Sequence, residues 1–334
     1  MATESITTLL NGAISARKEL IDAQHKTAFR LFNGFTEGCP DLVVDVYGAT
    51  VVLHNYADSS EQGAVLVRIA QEYLQTRLPW LNAGILKTRN GSSADERRGK
   101  LLFGTTVDRR VQERGVWYAV DLCMNRDASF YLDTRNLRHW ALKHLHGKTV
   151  LNAFSYTGSL GVAAQAGGAA RVVHLDHNRQ FLNVAKTSYT LNGFPIDKQD
   201  FVAGDFWTQV SRFKRTGTRF DCVMLDPPFF AVASTGVVDL VNHSARLINK
   251  VRPLLDDGGY LVAINNALYV SGRVYMEILD ALCNEYLEVV ELIPVPADFT
   301  GYPQTRVGEP ITDPAPFNHS TKIVVLKIRR KQSG

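Results

Sequence analysis

The chain has 334 residues, which exceeds what one hydrophobic core usually organises and is enough for two domains. Hydrophobic residues make up 45% and charged residues 21%, as in soluble globular proteins, and no run of about 18 apolar residues predicts a membrane span. The net charge of +4 is a weak sign of an anionic partner, and four widely spaced cysteines predict neither a zinc site nor a disulfide framework, which fits a cytoplasmic protein without a metal.

The first third of the sequence predicts a small α+β domain. Residues 1–28 read as an exposed, partly helical lead-in, and residues 29–118 form the domain itself. Its predicted strands are the short β-rich runs 29–34, 42–48, 50–56 and 84–89. Between the last two of these runs, helical spacing places Val65, Ile69 and Leu74 on one side of a helix.

The remainder of the chain, residues 119–334, predicts a different architecture, in which strands alternate with helices. The predicted strands are 149–154, 171–176, 200–205, 220–226, 259–265, 287–295 and 321–329. Helical stretches follow the first five strands, and one of them is Val238–Leu254. This alternation is typical of an α/β fold with a doubly wound, Rossmann-like sheet of seven strands. Because no helix separates the last two strands, we expect one of them to be inserted antiparallel at the edge.

In a doubly wound sheet, ligands bind beyond the carboxyl ends of the strands, where the strand order reverses. The first strand of this domain ends in the loop Asn152–Gly161, whose small residues lead into a helix N-terminus with unpaired N–H groups. A dinucleotide fingerprint also needs GxGxxG, and this loop has only Gly158 and Gly161, so a pyrophosphate cradle is disfavoured. An ordinary turn between strand and helix is the alternative.

Two carboxylates stand at the ends of the next two strands. Asp176 can accept both hydroxyls of a ribose. Asp205 can accept the exocyclic amine of an adenine, and Phe206 can lie against the adenine ring. The alternatives are a solvated strand end for Asp176 and a helix N-cap for Asp205.

The most specific short motif in the chain is Asp226-Pro227-Pro228-Phe229-Phe230, at the end of the fourth strand. Its prolines fix φ and remove donors, which aims the Asp226 carboxylate into the cleft, and the aromatic side chains offer a face on which a nucleobase can stack. A purely structural turn rarely needs this combination. At the end of the fifth strand, Asn265 and Asn266 either offer donors and acceptors to a base edge or form an ordinary turn pair.

A further motif, FYLDTRNLR, precedes the first strand of this domain and spans Phe130–Arg138. Asp133 is placed to cap the helix that follows. Arg135 and Arg138 can meet a cofactor carboxylate or an RNA phosphate. The alternative is the plain start of a surface helix.

These motifs resemble those of a known family. The segments NAFSYTG, LDHNRQFLNVAKTSYTLNGF, GDF and LDPPFF, preceded by FYLDTR, look like the large-subunit ribosomal RNA methyltransferases of the I and K types. The resemblance covers about residues 119–330, and residues 29–118 are similar to the small domain that these enzymes carry before the catalytic one. It implies a class I methyltransferase with S-adenosylmethionine as its cofactor and ribosomal RNA as its partner.

The resemblance also implies a role for each matching residue. The residues on the cofactor side are Phe130, Asp133, Arg135, Asn152, Phe154, Ser155, Tyr156, Thr157, Gly158, Asp176, His177, Asp205, Phe206, Asp226 and Pro227. The residues on the side of the target base are Asp226, Phe229, Phe230, Asn265 and Asn266. The implied reaction is a direct, in-line methyl transfer that requires no metal.

Two chemistries within the family differ at the end of the fifth strand. The 5-methylcytosine enzymes generally use a cysteine nucleophile near the position of Asn265, where this chain has no cysteine. Cys222 lies in a predicted buried strand and Cys283 at a helix end, so both read as packed thiols. The K type, a guanine-N7 methyltransferase, has an Asn-Asn pair at the matching place, which favours that branch. About 28 residues precede the small domain, which predicts that the N-terminal PUA domain of the I type is missing.

Three rival functions are open. A methyltransferase of a small molecule or protein would use the same cofactor site, and a non-catalytic RNA-binding protein would keep only the fold. A nicotinamide oxidoreductase is disfavoured because GxGxxG is missing. No membrane partner is expected, and a homodimer is one option for an oligomeric state that the sequence leaves open.

Overall fold

The structure, a computed structural model, describes residues 5–330 except 234, 284 and 285, and describes only the backbone of Ser60. Contacts within the chain divide it into two compact units. The first contains Met1–Leu132 and Pro296–Glu309, and the second contains Asp133–Val295 and Pro310–Gly334. The predicted domain boundaries after residues 28 and 118 stay predictions, and the division by contacts falls after Leu132.

The first unit is an α+β fold built on one five-stranded sheet. Its elements up to Leu132 are α1 (Ile6–Ala16), β1 (Ala28–Asn33), α2 (Gly34–Glu37), β2 (Leu42–Tyr47), β3 (Thr50–Asn55), α3 (Ser60–Arg77), β4 (Ala83–Thr88), α4 (Ala94–Arg98), β5 (Lys100–Phe103), β6 (Arg110–Glu113) and β7 (Val116–Ala119). The sheet has the order β1-β2-β3-β4-β5, and β3 and β4 run parallel because α3 carries the chain back between them. The four predicted strands are confirmed as β1 to β4, whereas β5, β6 and β7 were not predicted.

Two helices of the first unit bury other residues than the sequence predicts. The prediction of an exposed lead-in is wrong for α1, because Leu10 and Ala13 are fully buried in the apolar core of this unit. In α3, Val65 is 47% exposed, while Val67 and Leu74 pack into the same core. Apolar residues occur on more than one side of α3, so only the sheet beneath it decides which side is buried.

The second unit carries the longer alternation of strands and helices. Its elements are α5 (Arg135–His144), β8 (Thr149–Ala153), α6 (Ser159–Ala166), β9 (Arg171–Asp176), α7 (Arg179–Leu191), β10 (Phe201–Ala203), α8 (Phe206–Arg215), β11 (Phe220–Leu225), β12 (Phe230–Ala233), β13 (Gly236–Asp239), α9 (Ser244–Val251), β14 (Leu255–Asn265), α10 (Gly272–Leu282), β15 (Leu287–Ile293) and β16 (Lys322–Ile328). A last short helix, α11 (Ala297–Thr300), belongs to the first unit.

Seven strands of the second unit form one sheet with the order β10-β9-β8-β11-β14-β16-β15. The strands β8, β9, β10, β11 and β14 run parallel, and β16 runs antiparallel to both of its neighbours. The strand order reverses between β8 and β11, which is the switch point of a doubly wound sheet. The predicted seven-stranded, doubly wound sheet is confirmed, with its antiparallel strand one position in from the edge.

The segment after β11 departs from the prediction. The helix predicted over Val238–Leu254 is wrong in its first part, because β12 and β13 form a hairpin and α9 begins only at Ser244. Val232 and Val237 are opposite each other in this hairpin, and β-branched side chains favour such pairing. The hairpin was missed because its two strands have only four residues each.

Across the described residues, none of the helices combines the length and the apolar composition that crossing a bilayer requires. The same residues contain no group of three or more His, Cys, Asp or Glu side chains arranged to hold a metal ion.

Candidate functional site

The carboxyl ends of the parallel strands lie side by side at one edge of the seven-stranded sheet. Ala153 of β8 is in register with Leu175 of β9 on one side and with Leu225 of β11 on the other. Strands that are parallel and in register end at the same level, so the residues that follow these three emerge together. The sheet therefore brings the loop after β8, Asp176 and Asp226 to one edge, at the switch point.

The backbone of the loop after β8 is irregular. Phe154 and Tyr156 have φ angles of 57° and 50°, in the left-handed region, which costs a residue with a side chain roughly 1 to 2 kcal/mol. The loop is held in place by hydrogen bonds from the Ser155 N–H to the Leu175 carbonyl (2.9 Å) and from the Gly158 N–H to the Ser155 carbonyl (2.8 Å). Strained backbone of this kind clusters at ligand sites.

Two buried polar atoms beside this loop lack a partner among the described residues. They are Nδ2 of Asn152, which is almost fully buried at the end of β8, and Oγ of Ser155. A buried donor without a partner costs about 1 to 3 kcal/mol, so proteins rarely keep one without a reason. Both atoms fit a site that a polar ligand completes.

The glycines of the loop make room for other parts of the protein. A Cβ on Gly158 would lie 2.5 Å from Cβ of Ala185, and a Cβ on Gly161 would lie 2.5 Å from Cε1 of His174. Both distances are too short for real contacts, so these glycines allow α6 to pack closely against β9 and α7. Their spacing therefore has a packing reason that the loop sequence does not reveal.

Asp176 connects the end of β9 to the loop. Its two carboxylate oxygens accept hydrogen bonds from the backbone N–H groups of Tyr156 and Asn178, each at 2.9 Å. Asp176 is 8% exposed, and burial raises the pKa of its carboxyl group although these hydrogen bonds act in the opposite direction. A solvated strand end does not describe such a residue. His177, next to it, has a side chain that is 82% exposed.

Asp205 is the N-cap of α8, which is the structural alternative that the sequence left open. Its Oδ1 accepts hydrogen bonds from the Thr208 N–H (2.9 Å), the Thr208 hydroxyl (2.9 Å) and the Thr235 hydroxyl (2.6 Å). Burial acts against ionisation, but these bonds hold the pKa of Asp205 below its ordinary value. Phe206 is buried, with its ring stacked 4.5 Å from that of Phe154. The contact of Asp205 and Phe206 with an adenine stays a prediction.

Asp226 has the least satisfied carboxylate of the three. Among the described residues, none donates a hydrogen bond to its side chain and none pairs with it as a cation. Burial, and then repulsion from Asp133, raises the pKa of Asp226 to about 7. Pro227, which follows it, is buried. A carboxylate held in this way, beside the switch point, is available to a ligand.

Two exposed aromatic side chains follow the prolines. Phe229 is 49% exposed and Phe230 is 56% exposed. Phe230 begins β12, on which Val232 is also 69% exposed. Large apolar side chains that are exposed within one short segment are candidates for an interaction surface. Exposed aromatic rings that closely follow an unsatisfied carboxylate in the chain fit the recognition of a nucleobase by stacking and hydrogen bonding.

The two asparagines at the end of β14 differ in their environment. Asn265 is fully buried, its Nδ2 donates to the Leu240 carbonyl (3.2 Å) and its Oδ1 accepts from the Ala267 N–H (3.0 Å). Since the Leu240 N–H in turn donates to the Phe229 carbonyl (3.1 Å), Asn265 braces the segment that carries the aromatic pair. Asn266 is exposed. Their predicted contact with a base stays a prediction, and Asn266 is the one that has its side chain exposed for it.

In the motif Phe130–Arg138, upstream of β8, several side chains make other contacts than the sequence predicts. The N-cap of α5 is Thr134, so the predicted capping by Asp133 is wrong, and Oδ2 of Asp133 instead accepts from the Thr321 hydroxyl (3.0 Å). Arg138 is 2% exposed and donates to the Thr134 hydroxyl (2.8 Å), which removes it from contact with an RNA phosphate. Arg135 is the first residue of α5, and its contact with a cofactor carboxylate or an RNA phosphate stays a prediction.

Phe130 belongs to the first unit. It is buried, its ring lies 5.1 Å from that of Tyr118, and its carbonyl accepts a hydrogen bond from the Tyr47 hydroxyl (3.2 Å). Its predicted role in cofactor binding stays a prediction.

One buried charge at this edge of the sheet was missed by sequence reasoning. Lys322 begins β16, opposite Asn265, and is fully buried. Its Nζ donates to the carbonyls of Ala267 (2.9 Å) and Ser320, and burial lowers its pKa to about 8. The only signal in the sequence is a lysine at the start of an apolar strand, a position where lysine is ordinarily solvated.

A family model described as S-adenosylmethionine-dependent methyltransferase matches residues 31–305. The chain belongs to this family. It is thus an S-adenosylmethionine-dependent methyltransferase. It is 29% identical over 304 residues to "Ribosomal RNA large subunit methyltransferase I" of Aeromonas hydrophila, covering 88% of this chain and 76% of that relative. It is 32% identical over 251 residues to the protein of the same name in Vibrio cholerae, covering 74% of this chain and 63% of that relative.

Solved structures resemble the fold. A proposed methyltransferase complexed with SAH has a TM-score of 0.82 at 22% identity, and the match covers 96% of this chain and 80% of that one. A proposed SAM-dependent methyltransferase from Streptococcus mutans has a TM-score of 0.80 at 21% identity, covering 98% of this chain and 83% of that one. At these identities the likeness bears on the fold alone.

The residues present fit S-adenosylmethionine. The Asp176 carboxylate suits ribose hydroxyls, and the unpartnered Asn152 and Ser155 side chains suit polar groups of the ligand. The loop offers no phosphate cradle of the GxGxxG kind, and this cofactor has no phosphate to bind.

Proposed function

We propose that this enzyme methylates a base of large-subunit ribosomal RNA, with guanine N7 as the target atom. The observation that carries the proposal is that the unsatisfied Asp226 carboxylate is followed, three and four residues later in the chain, by the exposed rings of Phe229 and Phe230. A stacking face beside a hydrogen-bond acceptor suits a nucleobase better than a flexible metabolite. The names of the relatives in Aeromonas and Vibrio support ribosomal RNA as the substrate.

The choice of guanine N7 rests on the absence of a nucleophile. At the end of β14 the chain has Asn265 and Asn266 where a cysteine would be needed for a covalent route to C5 of a pyrimidine. Cys222 is fully buried in β11 and burial raises the pKa of its thiol, so it is not a nucleophile. Guanine N7 is already nucleophilic and requires only position and desolvation. The K-type branch and the missing PUA domain stay predictions.

The side chains have separate tasks in this proposal. When bound, S-adenosylmethionine supplies an activated methyl group on its sulfonium sulfur. The loop from Asn152 to Gly158, with Tyr156 and Thr157, binds the methionine side, and Asp176 binds the ribose. Phe229 or Phe230 stacks on the target base.

Asp226 holds that base by its ring N–H and amino groups. In its ionised form it accepts these hydrogen bonds more strongly as the base gains positive charge during transfer, which lowers the barrier.

The test is mass-spectrometric mapping of ribosomal RNA nucleosides from cells with and without the gene, followed by methylation of the unmodified RNA by purified enzyme. We expect one 7-methylguanosine to disappear from large-subunit RNA without the gene and to return in vitro. A different methylated nucleoside would overturn guanine N7, and an unchanged set of RNA nucleosides would overturn RNA as the substrate.

A further inference from the structure

A groove lined with positive charge lies on the second unit, between α8, α9 and the β12–β13 hairpin. It encloses about 740 Å³. The cations that line it are Arg212, Lys214, Arg215, Arg246 and Lys250. Thr208, Ser211 and Asn249 add neutral hydrogen-bonding groups. Neither α8 nor α9 contains an acidic residue, so the positive charge follows from the sequences of both helices.

These five cations form no ion pairs within the part of the chain that the structure describes. There, none of them pairs with a carboxylate, whereas surface arginines elsewhere do, such as Arg68 with Glu72 and Arg273 with Glu277. Burial, and then repulsion from Lys214 and Arg246, lowers the pKa of Lys250, although attraction from Asp205 acts in the opposite direction. Cations placed close enough to repel one another cost stability unless an anion binds among them.

The groove is a firm surface because Trp207 lies beneath it. The Trp207 side chain is buried, and the Arg246 guanidinium and the Lys250 ammonium lie over its ring at 4.8 and 5.6 Å from the centroid. Lys250 also donates to the Ser211 hydroxyl at 2.9 Å. These contacts fix two of the cations in place, which reduces the entropy lost when a ligand binds.

The hairpin joins the groove to the proposed base-binding residues. At its tip, the Thr235 hydroxyl donates to Asp205 and Gly236 packs so closely on Trp207 that a Cβ would lie 2.5 Å from its ring nitrogen. At its base, β12 begins with the exposed Phe230. From Phe230 to Ala233 the strand spans only about 10 Å, at about 3.3 Å per residue. A chain that enters the groove therefore passes close to the aromatic pair.

We propose that this groove binds the phosphate backbone of single-stranded RNA next to the target base. The proposal rests on the RNA substrate proposed above and adds the surface that holds it. Arginine, lysine, hydroxyl and amide groups are the usual partners of phosphate oxygens, and together they match a polyanion with regularly spaced charges. An acidic protein segment offers the same sign of charge but has no base to place on Phe229 or Phe230.

Fluorescence anisotropy with a labelled single-stranded RNA from the modified region tests the groove over a range of salt concentrations. The first double variant is Arg246→Gln/Lys250→Gln. Because these two residues also pack on Trp207, the second double variant is Arg212→Gln/Lys214→Gln, which changes two exposed cations of the groove. Lys143→Gln/Lys198→Gln is the control, with the same change of charge at exposed positions outside the groove. S-adenosylmethionine affinity and thermal stability are measured for all three.

Each groove variant should bind the RNA about tenfold or more weakly at about 0.1 M salt, with a salt slope smaller by about 0.7 for each lost phosphate contact. Cofactor affinity should be unchanged. Groove variants with the RNA affinity and salt slope of the control would overturn the groove and leave the proposed function standing. A native enzyme that binds cofactor but no RNA would overturn the proposed function. Labelled polyglutamate, measured in the same way, is the second probe: groove variants that lose polyglutamate binding but keep RNA binding would assign the groove to an acidic protein instead.

Discussion

Three carboxylates at the edge of the seven-stranded sheet differ in their donors. Asp176 accepts two backbone N–H groups, and Asp205 accepts the donors of Thr208 and Thr235. Asp226 accepts no hydrogen bond from the described residues. Because donors favour the ionised form and burial disfavours it, the same residue type has a lowered pKa at Asp205 and a raised one at Asp226. Such differences assign separate roles to carboxylates that look alike in the sequence.

At Asp176, substitution should abolish cofactor binding. Asp176→Ala removes the proposed acceptor of the ribose hydroxyls and also the acceptor of the Tyr156 N–H in the loop. Losing two charge-assisted hydrogen bonds at about 1.5 to 3 kcal/mol each should weaken S-adenosylmethionine about 100-fold or more. Calorimetric titration measures this, with Asp197→Ala, at an exposed position outside the site, as the control. Unchanged affinity in a folded Asp176→Ala protein would contradict the assignment.

At Asp226, activity should depend on ionisation. With a pKa of about 7, the carboxyl becomes an acceptor as the pH rises through neutrality. We expect kcat/KM for RNA to rise through about pH 7 and then level off, because kcat/KM reports the pKa of the free enzyme. Asp226→Asn should be less active and should lose this rise. A profile that falls through pH 7 would mean that the protonated carboxyl is the active form.

The same residue should lower the stability of the free enzyme. Its pKa is about 7 in the folded state and about 3.9 in the unfolded chain, so the unfolded state loses its proton first. Stability should therefore fall as the pH rises from about 4 to 7 and stay level above that. Thermal unfolding should show Asp226→Asn more stable than the native protein at pH 8, with no difference near pH 4. Asp221→Asn should instead be less stable than the native protein at pH 8, since burial acts against ionisation of Asp221 but hydrogen bonds from Thr149 hold its pKa below the ordinary value.

At the scale of elements, the β12–β13 hairpin presents exposed apolar side chains on one face. Phe230 and Val232 are two residues apart on β12, so their side chains point to the same face. Asn265 braces the base of the hairpin through Leu240. The hairpin thus combines a braced first strand, which begins shortly after Asp226, with exposed apolar side chains. A stacking surface needs such rigid support.

Removing one ring from this hairpin should affect transfer and spare the cofactor. Phe230→Ala should lower kcat/KM for RNA about 10- to 100-fold, since stacking of a base on an aromatic ring contributes about 1 to 3 kcal/mol. Its affinity for S-adenosylmethionine should stay close to native. Val232→Ala, on the same face of the same strand, is the matched control and should change kcat/KM little. Equal losses in both variants would indicate a general apolar contact without stacking.

At the scale of the whole molecule, the chain leaves the first unit after Leu132 and returns to it for residues 296–309. A buried ion pair holds the returning segment. Arg17 pairs with Glu37 at 2.9 Å, with both side chains almost fully buried, and also donates to the Asp298 carbonyl at 3.1 Å. Residues 281 positions apart in the chain are thereby joined, so this bond links the two stretches of chain that make up the first unit.

Breaking this pair should destabilise the protein strongly. Arg17→Ala leaves the Glu37 carboxylate buried without its cation, which costs about 3 to 5 kcal/mol. Urea unfolding measures the loss. Arg68→Ala breaks a pair with Glu72 that is exposed on both sides and should cost less than about 1 kcal/mol. A similar small loss in both variants would show that the returning segment is held by packing alone.

Much of the fold was readable from the sequence because it is encoded locally. The strands β8, β9 and β11 are rich in apolar residues, and β8 and β9 are each followed directly by a helix. Because both residues lie at the ends of predicted parallel strands, the sequence alone was enough to place Asp176 and Asp226 at the same edge of the sheet. The family resemblance added the roles, which spacing alone did not supply.

What the sequence by itself determined is the doubly wound sheet, its cofactor class and the set of residues at its carboxyl edge. The tertiary structure alone decided which of them are already bonded: Asn265 is engaged and Asn266 exposed, and Asp226 lacks the donors that Asp205 has. It also decided the burial of Lys322 and the groove that α8 and α9 form together. The reason is physical, because apolar patterns act over a few residues, whereas burial, hydrogen-bond partners and pKa values depend on side chains that only folding brings close.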